Sequence, residues 1–277
     1  MPVLVASDLD RTLIYSSAAL ALSSPDASPP PRQAPPPRLL CVERHEGEPL
    51  SYMTETAARL LADLAGTAVF VPATTRTPEQ YLRVDLPGPA PAYAVCANGG
   101  HLLVDGVPDA DWHRQVTGRL AVECAPLAEV REHLLRTADP AWVRKHRVAE
   151  DLFVYLVVER ELLPRGWVKE LTAWAGSRGW TVSLQGRKLY VVPGPLTKGA
   201  AVREVARRTG AGLVLGAGDS LLDAELLLAV DRGWRPGHGE LADTGWTAPG
   251  VVALPERGVL AGERIAREFL EAARGTR

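Results

Sequence analysis

The sequence predicts an α/β fold in which a parallel sheet is interrupted by an inserted α+β module. Short apolar runs alternate with segments of helical spacing at both ends of the chain, which is typical of a buried parallel sheet. Between about residues 111 and 190 the pattern changes to a helix followed by two strands, and this unit occurs twice. Hairpin-like strands of this kind indicate an antiparallel sheet, so the middle of the chain is predicted to be a separate module.

The first part of the core is predicted to span residues 1–110. Its elements follow from apolar runs, helical spacing and a capping box at Thr77 with proline at the first helical position. In chain order they are a strand at 3–7, a helix at 53–64, a strand at 68–71, a helix from 78, a strand at 92–96 and a hairpin at 102–107. A run of prolines predicts a solvated loop at residues 23–38. Residues 39–53 after it are predicted to form a hairpin that acts as a flap.

The module and the second part of the core complete the prediction. The module at 111–190 is expected to contain helices at 126–136 and 164–175 and strands at 142–148, 152–158, 181–184 and 189–192. The second part, residues 191–277, is expected to contain a helix at 197–209, a strand at 213–215, a helix from 220, a strand at 251–254 and a helix at 263–273. Both parts of the core are therefore expected to contribute to one sheet.

Composition narrows the classes of function. The 277 residues include 31 Lys plus Arg and 33 Asp plus Glu, and 46% are hydrophobic. This hydrophobic fraction excludes global disorder, and the small net charge gives no general attraction to nucleic acid or to anionic membranes. No apolar run reaches the roughly 18 residues that span a bilayer. We therefore expect a small-molecule partner, not nucleic acid or a membrane, and the sequence leaves the oligomeric state open.

The cysteines bear on the compartment. Cys41, Cys96 and Cys124 are odd in number and share no ligand spacing, which argues against a disulfide framework or a cysteine zinc site. A reducing, cytoplasmic location is expected. The stretch from Arg11 to Leu22 has only a faint likeness to a signal sequence, and cleavage there would discard an acidic motif at the end of the first strand.

That acidic motif is Asp8-Leu9-Asp10-Arg11-Thr12. Ligands of open α/β sheets bind outside the carboxyl ends of the strands. Two carboxylates two residues apart repel each other unless a cation or a proton relieves the repulsion. The motif therefore indicates a site at the end of the first strand.

Three further motifs follow later strands. Thr74-Thr75-Arg76 offers hydroxyl and N–H groups that suit an anion at a strand-to-helix turn. Lys198 begins a helix, where a cation is electrostatically unfavourable unless an anion lies nearby. Gly218-Asp219, with Asp223 four residues beyond Asp219, supplies two more acids at a strand end. Occurring together, these motifs indicate a site for a phosphate and a cation.

In this order the motifs resemble those of the haloacid-dehalogenase (HAD) superfamily of phosphohydrolases. The resemblance covers essentially the whole chain and implies a Rossmannoid HAD core with a parallel sheet and an inserted α+β cap domain. The module at 111–190, hereafter the cap, resembles the C2 (IIB, Cof-like) type, as found in sucrose-phosphate and mannosyl-3-phosphoglycerate phosphatases. Many relatives have glycine where this chain has Arg11 and Thr75.

The resemblance and the residue chemistry assign the same roles. Asp8 is expected to attack phosphorus and form an aspartyl-phosphate, and Asp10 to act as general acid and base with a raised pKa. Mg²⁺ is expected to bind the carboxylates of Asp8 and Asp219 and the backbone carbonyl of Asp10. The phosphate-binding residues are expected to be Thr74, Thr75 and Lys198. Thr12 is expected to orient Asp10, and Asp223 to hold Lys198 or a metal-bound water.

Substrate contacts are harder to predict. Arg76 and Asn98 lie nearest the motifs, and Arg187 and Lys188 lie on the cap strands. The cap also carries Lys145, His146 and Arg147, each of which is a weaker candidate.

The predicted function is a Mg²⁺-dependent phosphatase for a small soluble phosphate monoester, such as a sugar phosphate. A phosphomutase of the phosphomannomutase type is an alternative, and it would require a bisphosphate activator. A phosphate-binding regulatory module of the receiver type is disfavoured by Asp10 and by the insertion. A glycosyltransferase with a metal-binding acidic pair leaves Lys198 and Asp219 unexplained.

Overall fold

The computed structural model describes residues 1–21 and 36–275. Most of the predicted proline-rich loop at 23–38 lies outside the described residues. The elements up to residue 108 are β1 (Val3–Ser7), β2 (Tyr15–Ser16), β3 (Leu39–His45), β4 (Glu48–Thr54), α1 (Glu55–Leu64), β5 (Val69–Pro72), α2 (Pro78–Tyr81), β6 (Tyr93–Cys96), β7 (His101–Val104) and β8 (Val107–Pro108).

The middle of the chain forms the two helix–strand–strand units expected from the sequence. Its elements are α3 (Ala110–Glu123), α4 (Leu127–Thr137), β9 (Val143–Ala149), β10 (Phe153–Val158), α5 (Arg165–Gly176), β11 (Trp180–Gln185) and β12 (Lys188–Pro193). The four strands make an antiparallel sheet in the order β11-β12-β10-β9. The sequence did not predict α3, because only Trp112 and Val116 of this helix are buried and its apolar stripe is weak.

The last part of the chain returns to the parallel sheet. Its elements are α6 (Lys198–Thr209), β13 (Leu213–Ala217), α7 (Ala224–Leu227), β14 (Arg232–Arg235), α8 (Glu240–Asp243), β15 (Val251–Ala253) and α9 (Val259–Arg274). The sequence did not predict β14. This strand begins and ends with arginine, and only Gly233 and Trp234 in its middle are buried.

The parallel sheet has five strands in the order β15-β14-β13-β1-β5. At its centre, Val5 of β1 is paired with Leu215 of β13 on one side and with Phe70 of β5 on the other. The carboxyl ends of these three strands therefore lie side by side. The sequence predicted β6 as a third core strand, but β6 joins an antiparallel sheet with β7 and β8 and meets the parallel sheet at the single bridge Ala73–Val95.

An antiparallel hairpin of β3 and β4 lies beside the sheet. Its turn is Glu46-Gly47, and both residues have positive φ (52° and 85°), as a tight two-residue hairpin turn requires. The hydroxyl of Thr54, at the end of β4, accepts a hydrogen bond from the N–H of Ala57 and caps α1. It also donates to Glu263 of α9 at 3.0 Å, which ties the hairpin to the core.

One hydrophobic cluster runs through the core and the cap. It includes Leu4 and Val71 of the parallel sheet together with Phe153 and Leu189 of the antiparallel sheet. The cap is therefore packed onto the core by continuous apolar contacts. In the part of the chain that the structure describes, no helix has the length and apolar character needed to cross a bilayer.

Candidate active site

The ends of three adjacent strands bring the acidic and hydroxyl motifs together. Asp8 directly follows β1, Thr74 follows β5 and Asp219 follows β13. The N–H of Asp8 donates to the carbonyl of Ala217 at 2.9 Å, which extends the ladder between β1 and β13. Lys198 reaches the same edge from the first turn of α6. The sheet topology thus places the four motifs around one point.

Lys198 is buried between two carboxylates. Its side chain is 1% exposed, and its ammonium donates to Asp8 Oδ1 at 2.6 Å and to Asp223 Oδ1 at 2.5 Å. The other oxygen of Asp223 accepts the N–H of Asp219 at 3.1 Å, and the N–H and hydroxyl of Ser220 at 2.9 and 2.7 Å. Asp223 therefore fixes the loop that carries Asp219 and also neutralises Lys198. These pairings explain why a lysine is stable at the beginning of a helix.

Thr12 contacts a different aspartate from the one expected. Its hydroxyl donates to Asp8 Oδ2 at 3.1 Å, so the expectation that Thr12 orients Asp10 is wrong. The cause is a tight turn after β1, in which the amides of Leu13 and Ile14 both donate to the carbonyl of Leu9. This turn brings Thr12 back beside Asp8. One oxygen of Asp8 is thus held by Thr12 and the other by Lys198.

A divalent cation fits among the buried carboxylates. Asp8, Asp219 and Asp223 each offer an oxygen that lies within 4.8 Å of the other two. Burial raises the pKa of Asp8 to about 7, although the Lys198 charge lowers it. Burial, together with the charges of Asp8 and Asp223, raises the pKa of Asp219 well above its usual value. These raised pKa values indicate excess negative charge, and the donors are the hard oxygens that Mg²⁺ prefers, so the residues fit this ion.

Asp10 lies outside that carboxylate group and faces Arg76. The guanidinium Nε donates to Asp10 Oδ2 at 2.7 Å and Nη2 donates to Oδ1 at 2.8 Å, which makes the pair bidentate. Burial raises the pKa of Asp10, but the charge and hydrogen bonds of Arg76 outweigh it and bring this pKa to about 2. The expectation of a raised pKa for Asp10 is therefore wrong. The arginine that decides the outcome comes from another strand end, 66 residues away.

Arg76 has a second partner that sequence reasoning missed. Its Nη1 donates to Glu43 Oε1 at 2.7 Å, and the other oxygen of Glu43 accepts the hydroxyl of Ser51 at 2.6 Å. Glu43 and Ser51 lie opposite each other in the β3–β4 hairpin. Since Glu43 is followed by Arg44, His45 and Glu46 in a hairpin predicted to be a flap, nothing in the sequence marked it as buried.

The backbone of Arg11 explains why glycine is common at this position in the resembled family. Its φ is 67°, in the left-handed region that favours glycine. The Nε2 of buried His238 donates to the carbonyl of Arg11 at 2.7 Å, while Nδ1 accepts the N–H of Gly258 at 3.1 Å. Burial lowers the pKa of His238 to about 4, which agrees with this neutral form. The Arg11 guanidinium approaches Asp219, with Nε 3.3 Å from Oδ2.

Two threonines expected to bind phosphate follow β5. Thr74 is buried, and its hydroxyl accepts the N–H of Arg76 at 3.1 Å, which shapes the turn. The hydroxyl of Thr75 lies 3.4 Å from the hydroxyl of Tyr190 on β12. Thr75 is therefore at the boundary between the core and the cap.

The residues predicted to contact substrate have different positions. Lys188 is exposed at the start of β12, and its charge interacts with the site: Tyr190 raises its pKa most and Asp10 raises it further, while desolvation lowers it. Its Nζ also lies 5.7 Å from the centre of the Tyr155 ring. Arg187 is exposed, and its carbonyl accepts the N–H of Val158.

Asn98 has a structural contact of its own. It is 1% exposed, and its Nδ2 donates to the carbonyl of Leu196 at 2.7 Å. This bond joins the segment that enters the cap to the segment that leaves it, so Nδ2 of Asn98 holds the backbone, and a substrate contact of Asn98 stays a prediction. The weaker candidates Lys145, His146 and Arg147 lie on β9, at the edge of the cap sheet opposite β11.

Glu240 is a second residue that the sequence did not indicate. From α8 of the core, it accepts the hydroxyl of Ser183 at 2.5 Å and the N–H of Leu184 at 3.0 Å, both on β11 of the cap. It also accepts the N–H of Leu221, two residues beyond Asp219, at 3.1 Å. Glu240 thus fastens the cap sheet to the loop that carries a candidate metal ligand.

No family model and no curated protein matches the sequence. Among solved structures, the chain is similar to the sucrose-phosphatase from Synechocystis sp. PCC6803, in complex with sucrose and phosphate, with 16% identity, a TM-score of 0.65 and coverage of 97% of this chain and 98% of that one. It is also similar to the HAD subclass IIB sugar phosphatase BT4131 (13% identity, TM-score 0.54, coverage 99% and 100%). The C-terminal domain of the C. albicans trehalose-6-phosphate phosphatase matches at 13% identity, with a TM-score of 0.55 and coverage of 99% and 92%. The chain therefore has the fold of the capped phosphatases of the HAD superfamily.

Proposed function

We propose that the chain is a Mg²⁺-dependent phosphatase that hydrolyses a small phosphate monoester, such as a sugar phosphate, through an aspartyl-phosphate at Asp8. The observation that carries the proposal is the placement of Asp8. Its carboxylate lies at the end of β1, oriented by Thr12 and Lys198, and shares a buried carboxylate group with Asp219 and Asp223. The three free cysteines support a reducing, cytoplasmic setting.

Each step assigns a bond change to a residue of the chain. Asp8 attacks phosphorus while the bond to the leaving oxygen breaks, and Asp10 gives its proton to that oxygen. Asp10 then takes a proton from water as the water oxygen attacks phosphorus and Asp8 is released. Because Arg76 lowers its pKa, Asp10 is a carboxylate at rest, and the negative charge of an arriving phosphate favours its protonation.

The charge of the transferring phosphoryl group needs stabilisation, which is the largest contribution to this chemistry. Lys198 and the Thr74–Thr75 turn are the groups that supply it. Mg²⁺, held by Asp8, Asp219 and the Asp10 carbonyl, would neutralise further charge on the phosphoryl oxygens.

The cap and the hairpin are proposed to enclose the substrate. We assign residues 111–190 to the cap and the hairpin at 39–53 to a flap. Tyr190 meets Thr75 of the core, and it lies on the cap beside Tyr155 and Lys188. An ammonium group and two phenol hydroxyls offer the hydrogen bonds that a polyol needs. The structural neighbours whose names include sucrose-phosphatase and trehalose-6-phosphate phosphatase support a phosphorylated sugar as substrate.

The test is phosphate release from a panel of phosphorylated sugars, nucleotides and aryl phosphates, with and without Mg²⁺. We expect Mg²⁺-dependent release that disappears in Asp8→Asn. Thr244→Ala is the control, because the Thr244 hydroxyl donates only to carbonyls within its own turn of α8. Hydrolysis that survives in Asp8→Asn would contradict the proposal, and a requirement for a bisphosphate activator would indicate a mutase instead.

A further inference from the structure

Glu43 occupies an unusual place for a carboxylate in a hairpin. Its side chain is fully buried although β3 runs along the surface. The pairing of β3 with β4 is irregular on both sides of Glu43, between Cys41 and Glu43 and again between Glu43 and Arg44. Irregularities of this kind redirect a side chain and are common beside active sites. The break in register turns Glu43 away from solvent and toward the core.

Both oxygens of Glu43 are held in defined positions. Ser51, its partner across the hairpin, donates to Oε2 at 2.6 Å, and Arg76 donates to Oε1 at 2.7 Å. Arg83 lies farther off, with Nε 3.7 Å from Oε1. A buried carboxylate is costly unless it is paired and hydrogen-bonded, and these contacts meet that requirement.

The Arg76 guanidinium bridges two carboxylates that come from different parts of the fold. Nε and Nη2 bind Asp10, and Nη1 binds Glu43. A guanidinium is a rigid planar fork, so fixing one edge of it fixes the direction of the other. The hairpin therefore determines where the Arg76 fork points, and through it where the carboxylate of Asp10 points.

We propose that Glu43 is a positioning residue for catalysis: it holds Arg76 in place so that Asp10 keeps its direction toward the leaving oxygen. This inference rests on the proposed phosphatase function. Glu43 binds Nη1, which Asp10 leaves free, so it anchors the guanidinium independently of Asp10. The hairpin thereby contributes to proton transfer as well as covering the substrate.

Leaving groups provide the test. An alkyl leaving oxygen, as in a sugar phosphate, needs a proton from Asp10, whereas dinitrophenolate departs without one. We expect Glu43→Gln to lower kcat/KM, which reports phosphoryl transfer to Asp8 and not the later attack of water, on a sugar phosphate by roughly 10- to 100-fold, a fraction of what general acid catalysis supplies. On dinitrophenyl phosphate the same variant should lose less than about threefold, since its nucleophile and phosphate site are intact. A loss of structure alone would lower both rates equally.

Two further variants make the test specific. Glu263→Gln is the control, because Glu263 bonds the same hairpin through Thr54 and does not contact Arg76 in the structure. It should leave the ratio of the two rates unchanged. Ser51→Ala keeps the Glu43–Arg76 pair but removes the hydroxyl that donates to Glu43 and accepts from Arg76 Nη2 at 3.4 Å. It should therefore shift the ratio in the same direction by a smaller factor, and it tests whether the hairpin positions Arg76 if Glu43→Gln does not fold.

The outcomes separate the two proposals. Equal losses on both esters in Glu43→Gln, or an unchanged ratio in a folded Ser51→Ala when Glu43→Gln is unfolded, would overturn the positioning role while leaving the phosphatase intact. No hydrolysis of either ester by the wild-type protein would overturn the phosphatase and the positioning role together.

Discussion

Asp8 and Asp10 are two residues apart, yet the site has two sides with opposite electrostatics. On the lysine side, which comprises Asp8, Asp219, Asp223 and Lys198, burial and mutual repulsion raise the pKa of Asp8 to about 7. On the arginine side, which comprises Asp10, Arg76 and Glu43, the guanidinium lowers the pKa of Asp10 to about 2. The same residue type at one strand end therefore has two proton affinities.

The difference shows which side depends on a ligand. The arginine side contains its own counter-charges, because Arg76 binds both carboxylates and Arg83 Nε lies 3.7 Å from Glu43 Oε1, so Asp10 is ionised without help. The lysine side has more carboxylates than cations, so a nucleophilic, unprotonated Asp8 is favoured only when further positive charge is bound. The lysine side therefore needs a bound cation to balance its charge, whereas the arginine side is balanced by side chains of the protein itself.

The two sides should differ most in how strongly the fold is destabilised when the cationic side chain of each side is removed. Lys198→Met leaves Asp8 and Asp223 without the buried cation that they share and should destabilise the fold by about 3–5 kcal/mol. Arg76→Met should cost less, because the Asp10 side chain is 42% exposed to water. The buried Glu43 keeps its hydrogen bond from Ser51 and has Arg83 Nε 3.7 Å away. Urea unfolding at pH 8 in EDTA measures both, and equal losses would contradict the division into two sides.

Cation binding should distinguish the sides next. After treatment with EDTA, adding Mg²⁺ at about 100 times its Kd should stabilise the wild-type protein by about 2.7 kcal/mol. Asp219→Asn should lose most of this gain, whereas Asp10→Asn should keep it, because only the backbone carbonyl of Asp10 is expected to bind the ion. Thermal unfolding with and without Mg²⁺ provides the measurement. An equal loss in the two variants would mean that the arginine side also binds the cation.

The smallest expected effect is on how the free energy of unfolding of the metal-free protein changes with pH. Asp8 binds its proton more tightly when folded, so it destabilises the protein increasingly as pH rises from about 4 to about 7. Asp8→Asn should therefore gain stability relative to wild type over this range, by at most about 1.4 kcal/mol per pH unit. Asp10 has the opposite sign: its contribution is present above about pH 4 and is lost as pH falls toward 2.

Unfolding curves of the metal-free wild type, Asp8→Asn and Asp10→Asn at several pH values test both signs. Because water screens the Asp10–Arg76 pair, the stability change caused by Asp10→Asn should vary less steeply with pH than the change caused by Asp8→Asn. If Asp10→Asn and Asp8→Asn changed stability in the same direction at every pH, the opposite proton affinities of the two sides would be refuted.

The sequence predicted which residues meet at the candidate site, but not all of their hydrogen-bond partners and pKa values. The motifs at Asp8, Thr74, Lys198 and Asp219 were predictable, because each follows a strand or begins a helix, and parallel strands share one edge. The hydrogen-bond partner of Thr12 was not predictable, because it depends on a tight turn. The pKa of Asp10 was not predictable either, because it depends on Arg76. Partners brought together only by tertiary packing leave no periodic pattern.

The same reason explains the residues that were missed. Glu43 and Glu240 are ordinary acids in the sequence, and each becomes buried or bridging through contacts with a distant segment. The strand β14 and the helix α3 were missed for a different reason, which lies in their local sequence patterns. β14 has arginine at both ends, and α3 buries only two side chains, so neither carries the apolar periodicity by which strands and helices are recognised.

Arg11 has a consequence for protein engineering. A side chain in the left-handed backbone region costs about 1 kcal/mol, and glycine at position 11 would remove that cost. An engineer selecting for heat resistance would therefore choose Arg11→Gly. The same change would remove the guanidinium beside Asp219 and leave the carboxylates of the lysine side with one neighbouring cation fewer. A more heat-resistant variant at this position would lose part of the candidate active site, so thermostability screens of this chain should measure turnover alongside melting temperature.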